Sequence, residues 1–189
     1  MGNMFKIGDF VIKANSGICR IDDIGHLDIS AANKERLYFF LSPLNETNSK
    51  LYVPADRTDN GLRRVITGEV AWKIIEEIPN IDEAWISDDK QREQKYKEAI
   101  RSCDLTKLIS IIKCMYHRKQ RRTAQGKKNT SVDEHFFKLA ENNLYTELAF
   151  AIGKNREDMQ ALIAERIEGN REEKQEEKDS CENPIPNML

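Results

Sequence analysis

The apolar residues of this chain change their spacing near residue 67, and that change limits what the chain can fold into. Before it, short runs rich in β-branched and aromatic residues alternate with turn residues. After it, apolar residues recur three and four apart, the spacing of one helical face. A sheet module followed by a helical module is the arrangement that satisfies both periods.

Residues 5–66 read as β. Phe10-Val11-Ile12 lies between Gly8-Asp9 and the turn set Asn15-Ser16-Gly17. Ile18 to Ile24 alternates, with Ile18, Arg20, Asp22 and Ile24 on one parity and Cys19, Ile21 and Asp23 on the other. Arg36 to Leu41 is aromatic-rich and stops at Ser42-Pro43. Lys50 to Val53 ends at Pro54, which lacks an N–H for a ladder and so marks a strand end or an edge. Leu62 to Ile66 is a fifth candidate. Five short strands joined by tight turns predict a small, strongly bent sheet or barrel.

From Val70 to Ile78, apolar Val70, Ile74, Ile75 and Ile78 fall at helical spacing, with Trp72 on another face. Pro79 stops this helix, and 79–87 reads as a hinge. A charged helix is predicted from about Asp88 to Ser102. Asp104 is a good N-cap for the next, with Leu105, Leu108, Ile109, Ile112, Met115 and Tyr116 on its apolar face. Ser131 with Glu134 fits a capping box. Phe136 to Ile152 then traces a mostly apolar face that includes Glu147 and ends at Gly153. Asn155 caps a final helix. From Gly169 the composition turns polar and charged, and a disordered tail is expected. The fold class is therefore α+β, with boundaries at 1–66 for the β domain, 67–87 for a connecting helix and hinge, 88–168 for the helical domain and 169–189 for the tail.

Net charge of −2 hides a step. Arg101 to Lys128 carries nine Lys and Arg against one acid, Asp104. Residues 1–78 hold ten basic and eleven acidic side chains. The basic stretch suits either a solvated helix face or phosphate contact. Its scarcity of interleaved acids argues for phosphate. Trp85 precedes Lys90, Arg92 and Lys95. It would either pack a domain junction or form an aromatic wedge beside a basic surface, of the kind that unstacks a base step.

Other classes find little footing. Gly126-Lys127-Lys128 fails the phosphate-loop pattern, because Arg121 stands where the first Gly is needed. Asp22-Asp23, Asp88-Asp89 and Glu76-Glu77 are adjacent carboxylates that point apart, so they read as solvated rather than catalytic. Cys114-x-x-His117 with His135 lacks a second tight pair, so no metal site is expected, and no cofactor. Cys19, Cys103, Cys114 and Cys181 form no CxxC pair and read as reduced thiols. The MGNMFKIGDF opening lacks a secretory pattern, and no apolar run nears the roughly 20 residues of a membrane span. A cytoplasmic, non-enzymatic protein is expected. It is expected to be a monomer, since nothing resembles a heptad seam.

Phe5-Lys6-Ile7-Gly8-Asp9-Phe10-Val11, then Ser16-Gly17 and Ile21, resembles the opening of the CarD/CdnL transcription regulators, a module shared with transcription-repair coupling factors. The resemblance continues through Tyr52-Val53-Pro54-Ala55 and Leu62 to Ile78. It reaches Asp104-Leu105, Met115 to Lys119 and Glu147-Leu148-Ala149.

The resemblance implies an N-terminal Tudor-like domain that binds the RNA polymerase β subunit by strand addition. It further implies a helical domain touching promoter DNA at the upstream edge of the bubble, with a Trp in the minor groove, so that open-complex stability changes. Carried over, the polymerase-binding residues are Lys50, Leu51, Tyr52, Val53 and Pro54. With Trp85 as the wedge, the basic residues of the helical module supply the phosphate contacts, so the expected DNA-binding residues are Trp85, Lys90, Arg92, Lys95, Arg118, Lys119, Arg121, Arg122, Lys127 and Lys128. The protein would then be nucleoid-associated through polymerase. Tyr52 stands where some members carry Arg, which makes that contact aromatic rather than ionic. Two rival readings are an interaction adaptor that never touches nucleic acid and an RNA- or ribosome-associated module.

Overall fold

The computed structural model of the chain describes residues 5–14, 16–28, 35–46, 48–56, 61–86 and 88–169. The expected disordered tail with Cys181, and turn or hinge residues Asn15 and Ser87, lie outside the described residues apart from Gly169.

Five strands form one antiparallel sheet: β1 (Phe10–Lys13), β2 (Gly17–His26), β3 (Leu37–Pro43), β4 (Leu51–Pro54) and β5 (Leu62–Arg64). Their spatial order is β4-β3-β2-β1-β5. The sheet curls into a half-barrel and stays open, with β4 and β5 as its edges. Gly17, at φ 70°, lets the chain turn back from β1 into β2, a conformation costly for a residue with a Cβ.

Alternation in β2 is broken once. Ile21 pairs with Leu41 and Asp23 with Phe40, which leaves Asp22 as the extra residue of a β-bulge. The bulge switches parity. Cys19 and Ile21 face the concave core before it, and Ile24 packs against that core after it. The core also takes Phe5, Val11, Phe39, Leu41, Val53 and Leu62. Phe5 and Phe39 meet edge to face at 5.8 Å.

Among the described residues five α-helices follow: α1 (Gly68–Glu77), α2 (Arg92–Arg101), α3 (Leu105–Ala124), α4 (Ser131–Ile152) and α5 over residues 159–169. Thr67 caps α1, its side chain accepting from the Val70 amide. Asp104 caps α3 as predicted, accepting from the Thr106 amide at 2.9 Å and the Lys107 amide at 3.2 Å. The cap of α4 is Thr130, which accepts from the Asp133 amide at 3.0 Å. Ser131 is therefore the first helical residue, and the predicted Ser131–Glu134 box is replaced by the pair one residue earlier. Gly153 closes α4 at φ 66°. Asn155 begins a 3-10 turn without a side-chain cap, and its amide reaches Asp158 instead.

The helices share a second core built on Tyr96, Ile100, Leu108, Met115, Phe136, Leu144, Leu148 and Met159. Ala71 and Ile75 of α1 belong to it, so the helix predicted as a connector is part of the bundle. Val70, expected on the apolar face of α1, is exposed, while Trp72 is half-buried under Arg166. No described helix is long and apolar enough to cross a membrane.

Candidate functional site

β4 pairs with β3 alone; among the described residues no strand lies on its outer edge. An edge of this kind offers backbone donors and acceptors to an added strand. Val53 points into the core, and Tyr52 therefore points out, with 43% of its surface exposed. Phe40, its register partner, holds the Tyr52 ring edge to face at 5.2 Å. Sequence reasoning missed Phe40, although it alternates with the buried Phe39 and so faces the same way as Tyr52.

Just before β4, Lys50 donates from Nζ to Asp22 at 2.7 Å and to the Ser42 hydroxyl at 2.8 Å. The Ser42 hydroxyl also donates to Asp22, and Arg20 donates to it at 2.9 Å. The sequence reads Asp22 as solvated; instead the Lys50 ammonium, with the Ser42 hydroxyl, holds its carboxyl well below the usual carboxylate range.

Trp85 lies in a different part of the molecule, beside α3. It is 88% exposed, the most exposed of the large apolar residues among those described. Its backbone is nevertheless fixed, because segment 79–86 is strapped along α3. The Ser110 hydroxyl donates to the Asp82 carbonyl at 2.7 Å, and the Ala84 amide donates to the Ser110 carbonyl at 3.1 Å. Lys113 Nζ donates to the Ile81 carbonyl at 2.5 Å, and His117 Nδ1 meets Glu83 at 2.7 Å. Burial lowers the Lys113 pKa below the ordinary lysine value. The segment read as a hinge is thus a docked strap inside the helical part. Trp85 rims a groove of about 550 Å³ with Ile86, Lys95, Ala99, Lys107 and Ile111.

The predicted basic residues divide into three groups. Lys95 is in the Trp85 groove, and Lys90 is exposed in the 3-10 turn ahead of α2. Lys119, Arg121 and Arg122 sit on the last turns of α3, with Lys127 and Lys128 in the loop after it. At 1.5 Å per residue, Lys107 and Arg121 are about 21 Å apart along the helix. Arg118 turns inward, donating from Nε to Asp133 at 3.0 Å. Arg92 also faces the bundle, close to Tyr96 and Cys114. The Tyr96 hydroxyl donates to the other Asp133 oxygen at 2.9 Å. Cys114 is buried, and His117 faces Glu83 across the strap, so the two do not converge on a metal position.

A curled antiparallel sheet with an open, aromatic edge strand defines a small binding module. Residues 5–66 match the family described as the CarD-like/TRCF RID domain. The match spans the whole sheet and ends before α1. No curated protein matches the chain.

Proposed function

We propose that this chain is a bacterial transcription regulator that binds the RNA polymerase β subunit through β4 and contacts promoter DNA through its helical part. Residues 1–66 form the polymerase-facing module, and 88–168, together with the α1 helix and the strap of 67–87 that pack on them, form the DNA-facing module. Backbone groups of Leu51 to Val53 supply strand addition, and Tyr52 supplies specificity. Lys50, pinned by Asp22, and Pro54 bound that strand.

The helical part contacts the upstream edge of the melted bubble. Trp85 occupies the fork, with Lys95 beside it, Lys90 and Arg92 close in sequence, and Lys119, Arg121, Arg122, Lys127 and Lys128 along the phosphates. Arg118 contributes by shaping α3 rather than by touching phosphate, given its bond to Asp133. The consequence is a changed open-complex lifetime, with selectivity arising from how easily the promoter melts. The protein acts as a monomer in the cytoplasm, carried to the nucleoid by polymerase.

The observation that carries this reading is the RID match on a sheet whose β4 edge is open and presents Tyr52. The test is the lifetime of open complexes on a slowly melting promoter, with and without the chain. A changed lifetime is expected; an identical one contradicts the reading.

A further inference from the structure

One buried carboxylate of the helical bundle draws its cation from outside the bundle. Glu147 of α4 is 2% exposed, in the apolar face that also buries Leu144 and Leu148. Its partner comes from the sheet. Arg63 of β5 donates from Nη2 to one Glu147 oxygen at 2.6 Å and from Nη1 to the other. The same guanidinium donates from Nε to the Cys103 carbonyl in the α2–α3 turn. Cys103 has φ 54°, unusual outside glycine, in the turn that presents that carbonyl. The Ile66 amide also points at Glu147, at 3.4 Å. One side chain of the sheet thus binds two separate parts of the bundle.

The apolar contacts around this pair are looser. Phe10 of β1 and Phe150 of α4 meet at 5.0 Å, both still partly exposed. Between the sheet and α4 lies a cavity of about 30 Å³, lined by Ile12, Ile18, Cys103 and Thr146. The Thr146 hydroxyl is buried without a hydrogen-bond partner among the described residues. Packing is incomplete at this gap. A forked, bidentate ion pair is directional and adds an angular constraint there.

We infer that Arg63 and Glu147 are the coupling element that holds the sheet and the helical bundle at one fixed angle. They are positioning residues. Resting on the function proposed above, the coupling means that polymerase engagement through β4 also sets where Trp85 and the α3 cations lie. Polymerase binding without the coupling would leave the helical part unaimed. Leaving Glu147 unpaired would also cost stability, so a merely structural role must be separated from an aiming role.

Residual dipolar couplings of the full chain make that separation. In the native chain, couplings from the sheet and from α3 and α4 fit one alignment tensor. Arg63→Lys keeps the charge but cannot make the fork and the Cys103 contact together. The expected result is loss of the common tensor while each module still fits its own coordinates. Arg63→Ala is expected to behave likewise, and Arg63→Lys is the variant to read if the alanine chain unfolds. A single shared tensor in Arg63→Lys would overturn the inference. A second readout uses polymerase. Arg63→Lys should bind the isolated β-subunit lobe as the native chain does, yet lose its effect on open-complex lifetime. A native chain that fails to bind the lobe would overturn the proposed function and leave the tensor result standing.

Discussion

Arg118 lies in the most basic stretch of the chain, yet it donates from Nε to the buried Asp133 at 3.0 Å and is only 19% exposed. Asp133 itself is 1% exposed, and Tyr96 donates to its second oxygen. The pair ties α3 to the start of α4, and Tyr96 brings in α2. Its neighbours Lys119 and Arg121 are exposed.

Arg118→Ala should therefore destabilise the fold by about 3 kcal/mol, because it leaves a buried carboxylate without its cation. Lys119→Ala should stay within about 0.5 kcal/mol of native. Urea unfolding midpoints decide the matter. Equal midpoints for the two variants would show that the Asp133 pair contributes nothing to stability.

Neutralising Lys119, Arg121 and Arg122 together should weaken binding to duplex DNA of any sequence. It should also flatten the plot of log affinity against log salt by about 3, close to one for each phosphate that no longer meets a cation. Fluorescence anisotropy at several salt concentrations measures this. An unaltered slope would remove these residues from the DNA interface.

Trp85→Ala should leave stability unchanged, since the side chain buries almost nothing, and should shorten open-complex lifetime without affecting polymerase binding. Iodide should quench Trp85 strongly and the half-buried Trp72 less. An open-complex lifetime equal to native would end the wedge role.

Alkali should destabilise the sheet through Cys19. Burial pushes this thiol up from 9.0 to about 11. The folded state holds the proton more tightly than the unfolded chain does. The resulting stability is fully present below pH 9.0 and is lost as pH rises toward about 11. It amounts to roughly 2–3 kcal/mol. Burial also raises Cys103 and Cys114, which act in the same direction. Stability measured at pH 8 and pH 10.5 should fall less in Cys19→Ala than in the native chain. Equal falls would contradict the assignment.

The periods of 2 and 3.6 made most of the architecture legible. Every predicted strand is present, and Pro54, read as a strand end or an edge, is the last residue of the edge strand β4. Asp104 was readable as a cap because Asp before an apolar helical run has few other uses. The bulge at Asp22 was not readable: strict alternation cannot show where one extra residue enters, and the parity of Ile24 followed wrongly from it. At the start of α4, Thr130–Asp133 and Ser131–Glu134 both fit the box spacing, and only tertiary demand for a buried Asp133 chooses between them. Glu147 was visible as a charge in an apolar stripe, but its partner lies 84 residues away. The direction of Arg118 was equally hidden, since a basic run reads as exposed until its acid is located in space.

If β4 is the polymerase-binding edge, co-elution of the full chain with the isolated β-subunit lobe of a bacterial RNA polymerase tests it most directly. The native chain should co-elute with the lobe. Tyr52→Glu should elute alone while still folding, its unfolding midpoint lowered only by the lost edge contact with Phe40. Failure of the native chain to co-elute, or undiminished co-elution of Tyr52→Glu, would contradict the account.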